Sequence, residues 1–304
     1  MKKALKPLIN CIPNKRLRHK LRNRFFLSKY KTLNKRIPGQ IVPKKLTFLY
    51  TTNTSNIGDL ASSSLHYFDF GATNVSVDIV QTLNNNMMEN PVIIGGGIHP
   101  WLFSNMEFAR RLYPHGNIAW GIGTFFKEKY PANILSKFAL IGLRESNSPM
   151  IDHQTIFHCP CSSCMSSLFD IQKRPSEEIV FYLHKMFTPT DFFNKVALKY
   201  PVMDNYNKSF YEVIQFLQTG KIVVTNSYHG MYWATLLGKK VVCIDIHNKC
   251  HGTQWLPQFT DYDNWESALS ETKIYENALS EARSLNRDFY NKVIEILGNK
   301  PVNK

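Results

Sequence analysis

The stretch 225–229, Thr-Asn-Ser-Tyr-His, gathers an imidazole, an amide and three hydroxyls within five residues. It follows a β-branched apolar run, 222–225, and precedes a helical pattern of Met231, Ala234 and Leu237. A strand is therefore expected to deliver these side chains to a helix N-terminus, where unpaired backbone N–H groups and the positive end of the helix dipole meet. His229 placed there favours an anionic ligand. A second reactive cluster is His158, Cys159, Cys161 and Cys164. Its Cys-x-x-Cys spacing suits a metal or a redox couple. No second cysteine pair follows at finger spacing, since only Cys243 and Cys250 come later. We read these thiols as structural, at a domain junction.

The elements that position these groups read as α/β. Gly238 closes the helical pattern as a left-handed cap, and 241–244 is the next buried strand. Two apolar strands joined by a helix make a βαβ unit in a parallel sheet covered on both faces. Ligands of such sheets bind at the carboxyl ends of the strands. The first half repeats the pattern: a strand at 46–51, the polar loop 52–59, then Leu60, Ser64, Leu65 and Phe68 at helical spacing. This is the opening βα turn of a Rossmann-like domain, without the Gly-x-Gly-x-x-Gly dinucleotide fingerprint.

Strands are also expected at 92–94, 117–120 and 138–143, with 74–81 ambiguous but closer to strand. Their ends, near 53, 95, 121 and 144, are small or polar and line one rim, which suggests a cleft. Gly95, Gly96 and Gly97 at such an end either bend the chain sharply or admit a ligand. Helices are expected at 101–112, from Ser146 with Pro149 in its first turn, at 209–217, and at 276–297. The polar run 172–178 reads as a linker. A strand at 179–183 opens the second domain and ends at His184 and Lys185. His247, Lys249 and His251 form a basic loop at a later strand end.

Three pieces carry a family resemblance. The stretch TNSYHGMYWATLLGKKVV resembles the C-terminal motif of the polysaccharide pyruvyl transferase family. Asn56-Ile57-Gly58-Asp59 is similar to the family's Asn-x-Gly-Asp loop, and Gly142-Leu143-Arg144-Glu145-Ser146 to its mid-chain motif. The order agrees, over roughly residues 46–260. The resemblance implies two Rossmann-like domains facing a cleft, the glycosyltransferase-B arrangement. We place the boundaries at 1–45, 46–172 and 173–304.

It also implies a donor, phosphoenolpyruvate, whose carboxyvinyl unit becomes a pyruvate ketal across two sugar hydroxyls. Arg144 matches the family's mid-chain arginine and would clamp a carboxylate or phosphate bidentately, unless it only pairs with a neighbouring carboxylate. His229 would bind the anion or donate a proton, unless it is a capping or core histidine. Asp59 is the candidate base for a sugar hydroxyl, or a helix cap. Asn56, Gly58, Gly96, Gly97, Ser227, Tyr228, His184 and Lys249 are the remaining donor-site candidates. The chain departs from the pattern at Ser227, where the family has an arginine. Lys185, His184, Lys249 or His251 would have to supply that charge.

Hydrophobic residues make up 43% and charged residues 20% of the 304, enough for two cored domains. No apolar run reaches the length of a membrane span, and no secretory h-region follows Met1; we expect a reducing cytoplasmic setting. The formal net charge of +14 is uneven, because residues 1–45 hold many Lys and Arg but no Asp or Glu. Leu21, Phe25, Phe26 and Leu27 interleave with these cations, as in a helix lying on an anionic membrane; a solvated basic helix packed on the next domain is the alternative. Nucleic acid is not expected, since no nucleic-acid motif accompanies the charge. No cofactor or metal is required. Three readings stand: a pyruvyl transferase acting on a surface-polysaccharide precursor, a glycosyltransferase using a nucleotide sugar on a lipid-linked or capsular saccharide, and a non-catalytic polyanion-binding protein.

Overall fold

A computed structural model describes residues 45–84, 88–97, 106–114, 116–123, 135–148, 154–246 and 250–298. The basic segment 1–44, the donor-site candidate Lys249 and the expected helix from Pro149 onward lie outside the described residues. So does the first part of the expected helix 101–112.

Apolar runs form two parallel sheets. The first contains β1 (Leu46–Tyr50), β2 (Asn74–Asp78), β3 (Val92–Gly95), β4 (Asn117–Ile122), β5 (Phe138–Leu143) and β6 (Ile156–His158), in the order β2-β1-β3-β4-β5-β6. The second contains β7 (Glu177–Leu183), β8 (Val202–Asp204), β9 (Gly220–Thr225), β10 (Lys240–Ile244) and β11 (Gln258–Thr260), in the order β11-β10-β9-β7-β8. Every pairing is parallel; Leu49 sits opposite Ile94, and Val223 opposite both Val180 and Val241. The β-branched residues of the central strands are buried on both faces, as all-parallel sheets require.

The helices are α1 (Ile57–Ala61), α2 (Met106–Arg111), α3 (Thr190–Ala197), α4 (Phe210–Thr219), α5 (Tyr228–Leu236) and α6 (Ala278–Gly298). Ser209 and Glu212 close a reciprocal capping box at the start of α4. Gly238, at φ +66°, turns the chain out of α5 toward β10. All nine residues of α5 are buried, so this helix is covered on every side.

The first helix is shorter than the spacing of Leu60 to Phe68 predicts. α1 stops at Ala61, and a separate 3-10 turn covers Ser64–His66. The hydroxyl of Ser62 donates to the Asp59 carbonyl at 2.7 Å, drawing off a helix acceptor. Gly95 and Gly96 at the end of β3 then pack directly on Ser63 and Ser62. The three-residue strands β6, β8 and β11, together with α3, were not anticipated.

One apolar cluster runs from Phe48 and Trp120 on the first sheet through Trp233 of α5 to Val223 on the second. Two smaller clusters cover the far faces. The last helix follows the second sheet in sequence but packs on the first domain. Tyr290 stacks on Phe68 with ring centres 4.7 Å apart, and Phe289 meets Trp120 edge-on at 4.9 Å. The carboxyl ends of the sheets are also joined: Ile57 N–H donates to the Asn205 carbonyl at 3.1 Å, Asn207 N–H to that of Ser55 at 3.0 Å, and Ser146 N–H to that of Gly252 at 2.8 Å. Among the described residues no helix is long and apolar enough to cross a membrane.

Candidate functional site

The loop after β1 supplies Asn56, Gly58 and Asp59. Asn56 is the N-cap of α1: its Oδ1 accepts from Gly58 N–H at 3.1 Å and its Nδ2 donates to Asp59 Oδ2 at 3.1 Å. The capping role considered for Asp59 therefore falls to Asn56. The end of β5 supplies Arg144, anchored by its N–H to the Ile122 carbonyl at 3.0 Å. The turn from β9 into α5 supplies Ser227, Tyr228 and His229. Ser227 caps α5, its hydroxyl accepting from Gly230 N–H at 3.4 Å.

Arg144 and His229 converge. Arg144 is 3% exposed. Its guanidinium lies over the Tyr228 ring, 3.6 Å from the centroid, in space left by the missing side chain of Gly123. Its Nε is 3.5 Å from Glu145 Oε1, yet Nε and Nη2 make no hydrogen bond among the described residues. Buried donors without a protein partner are rare, and ordered water, an ion or a ligand usually completes them.

His229 is 8% exposed, and its ring covers Gly58 where a β-carbon would collide with it. Its Nε2 lies 3.6 Å from the Cys161 sulfur. Burial, then the charge of Arg144, then His184, hold the imidazole pKa down at about 3. The imidazole is thus neutral at pH 7, and Arg144 carries the positive charge of the cluster.

His184, at the end of β7, is close enough for its charge to act on His229. Its N–H donates to Asn226 Oδ1 at 2.6 Å, and its ring packs beside Phe187. Gly97 accepts from Gly123 N–H at 3.0 Å, so the glycine run after β3 adjoins the glycine that makes room for Arg144. Gly96, at φ +69°, is taken up by its close packing on Ser62. Two of the side chains considered as replacements at Ser227 are already engaged. Lys185 Nζ is 3.7 Å from Asp204 Oδ2, and His251 Nε2 is 3.0 Å from Asp245 Oδ2.

Three residues at this site escaped sequence reasoning. Gly123 was visible only as part of a glycine-rich strand end. Cys161 was read as structural; it is a free thiol whose pKa burial pushes up, as burial also pushes Cys164 up to about 12. Both are protonated at neutral pH and poor nucleophiles. Asn205, buried between the two sheets, gave no signal at all.

Two parallel α/β sheets thus meet at strand ends that bring together a buried arginine and a histidine whose pKa burial holds low. A family model described as polysaccharide pyruvyl transferase matches residues 14–248. The chain belongs to that family, and it is a transferase. No curated protein sequence matches it. Among solved structures it is similar to a functionally uncharacterised protein from Klebsiella pneumoniae subsp. pneumoniae NTUH-K2044, at 18% identity over 77% of this chain and 92% of that one, with a TM-score of 0.44. It is also similar to the wall teichoic acid polymerase TagF, at 11% identity over 93% and 95% of the two chains, with a TM-score of 0.38. Both scores lie below 0.5, and neither likeness bears on the function of this chain.

Proposed function

We propose that this protein transfers the enolpyruvyl unit of phosphoenolpyruvate to two hydroxyls of a surface-polysaccharide precursor, forming a pyruvate ketal in a cleft between its two sheets. The observation that carries this reading is Arg144, a buried guanidinium whose Nε and Nη2 make no hydrogen bond among the described residues. Its flat fork, stacked on Tyr228, suits the donor carboxylate. The N-terminus of α5 receives the phosphate through backbone N–H groups. In this reading Asn56, Gly58, Gly97 and His184 complete the donor site.

The reaction then proceeds by acid–base catalysis. Asp59 takes the proton of the first sugar hydroxyl as its oxygen bonds to C2 of the donor, and C3 gains a proton. His229 lies beside this centre and relays protons as a neutral imidazole. The C–O bond to phosphate breaks, and the second hydroxyl closes the ketal on C2. Of the two hydroxyl protons released, one ends on the new methyl group and one on inorganic phosphate.

Thermal denaturation tests the donor assignment. Phosphoenolpyruvate raises the melting temperature and a nucleotide diphosphate-sugar does not; the reverse result overturns the reading. The acceptor is a saccharide, lipid-linked at the cytoplasmic face of the inner membrane. The basic residues 1–45 hold the enzyme to that anionic surface. Deleting residues 1–40 is expected to release the protein from anionic vesicles in a co-sedimentation assay, and undiminished binding would remove the membrane from this account.

A further inference from the structure

Asn205 is the polar side chain through which the second domain reaches the loop that holds Asp59. It follows β8 and is 1% exposed. Its own backbone is fixed twice, by donation to the Leu183 carbonyl at 3.2 Å and by acceptance from Ile57 N–H at 3.1 Å. Its Oδ1 accepts from Lys185 N–H at 3.0 Å, and its Nδ2 donates to Asn56 Oδ1 at 3.0 Å.

The sense of this chain of bonds is not arbitrary. A backbone N–H only donates. Lys185 N–H therefore identifies the oxygen of the Asn205 amide, and Gly58 N–H identifies the oxygen of the Asn56 amide. Both amide nitrogens must face onward, that of Asn205 to Asn56 and that of Asn56 to Asp59 Oδ2. A one-way relay runs from the second domain into the Asp59 carboxylate.

We propose that Asn205 is a positioning residue, which orients the Asp59 carboxylate toward the acceptor hydroxyl and makes that orientation depend on the docked second domain. The inference rests on the transfer role proposed for Asp59. Gly58 N–H already sets the sense of the Asn56 amide, and Asn205 adds a second donor to the same oxygen, so the side chain that presents its N–H to Asp59 is held from both domains.

The decisive variant is Asn205→Asp, equal in size and still able to accept from Lys185, but with no N–H to offer Asn56. In full-length protein kcat is expected to fall roughly ten- to a hundredfold while KM for phosphoenolpyruvate stays unchanged. The acid limb of the kcat profile moves to higher pH in Asn205→Asp, where a new negative neighbour adds to the lost donor, and also in the uncharged Asn205→Ala, where loss of the donor acts alone. Asn205→Ala gives a smaller change in the same direction. Unaltered kcat, or a fall in kcat with the pH limb unmoved, overturns the proposal.

Hydrogen exchange provides a readout that does not require turnover. Amides at 57–61 exchange faster in Asn205→Asp while those of β9 do not. Equal protection at 57–61 overturns the relay. An inactive wild type showing this exchange pattern would instead count against the transfer reading.

Discussion

The imidazole of His229 occupies the space that a side chain on Gly58 would fill. The two residues come from different halves of the chain, so this contact ties the family's first and last motifs to each other. Gly58 lies inside α1, where alanine suits the backbone better than glycine. The three atoms nearest the added methyl group all belong to the His229 ring. Gly58→Ala is expected to melt within a few degrees of the parent while turnover drops on the order of a hundredfold. Parallel melting curves and phosphate-release assays check this; parental turnover would mean that the ring has room to move.

Arg144→Lys separates charge from shape. Lysine keeps the cation but loses the planar fork and the stacking on Tyr228. A hydrogen bond to a charged group contributes about 1.5–3 kcal/mol. KM for phosphoenolpyruvate is therefore expected to rise roughly ten- to a hundredfold, with kcat less affected. An unchanged KM would place the donor carboxylate elsewhere.

Acid stability follows from His229. Above pH 6.5 the imidazole is neutral in both the folded and the unfolded chain. Below it the unfolded chain takes up a proton that the folded site refuses until about pH 3. Stability is therefore lost as the pH falls through this window. His158, held down at about 4 chiefly by burial, acts in the same direction. His229→Gln is expected to flatten the dependence of melting temperature on pH between 7 and 5. A slope identical to that of the parent would show that the folded protein protonates this ring readily.

Asn286 pins α6 to the first domain from a fully buried position. It accepts from Trp120 Nε1 at 2.8 Å and donates to the Pro160 carbonyl at 3.1 Å. Asn286→Leu leaves both groups without these partners in a dry core. The expected destabilisation is about 2–6 kcal/mol, one to three for each stranded group, measured by urea unfolding. A change below about 1 kcal/mol would mean that water reaches the Trp120 edge.

How far the sequence reveals this arrangement depends on the range of each signal. The unit β9-α5-β10 is legible because a β-branched run, a helical spacing and Gly238 follow one another without interruption. Arg144 at a strand end is legible for the same reason. β6 and β8 are too short to show a period. α1 is cut off by Ser62 and by glycines from β3, a contact that spacing does not report. Long-range partners are harder still. The amphipathic spacing of residues 278–298 announces a helix but not that it will cover Trp120. That Arg144 and His229 serve one site was implied by the family motifs rather than by periodicity, and the stacking of Arg144 on Tyr228 was not foreseen. Asn205 is one polar residue in a connecting loop, and only its geometry reveals it.

The return of α6 to the first sheet has a consequence for how the protein is made. Phe68 and Trp120 leave the ribosome well before the residues that roof them, Asn286, Phe289 and Tyr290. The leading half of the nascent polypeptide must wait with an aromatic face uncovered, and that interval is when chaperone capture and aggregation compete with completion of the fold.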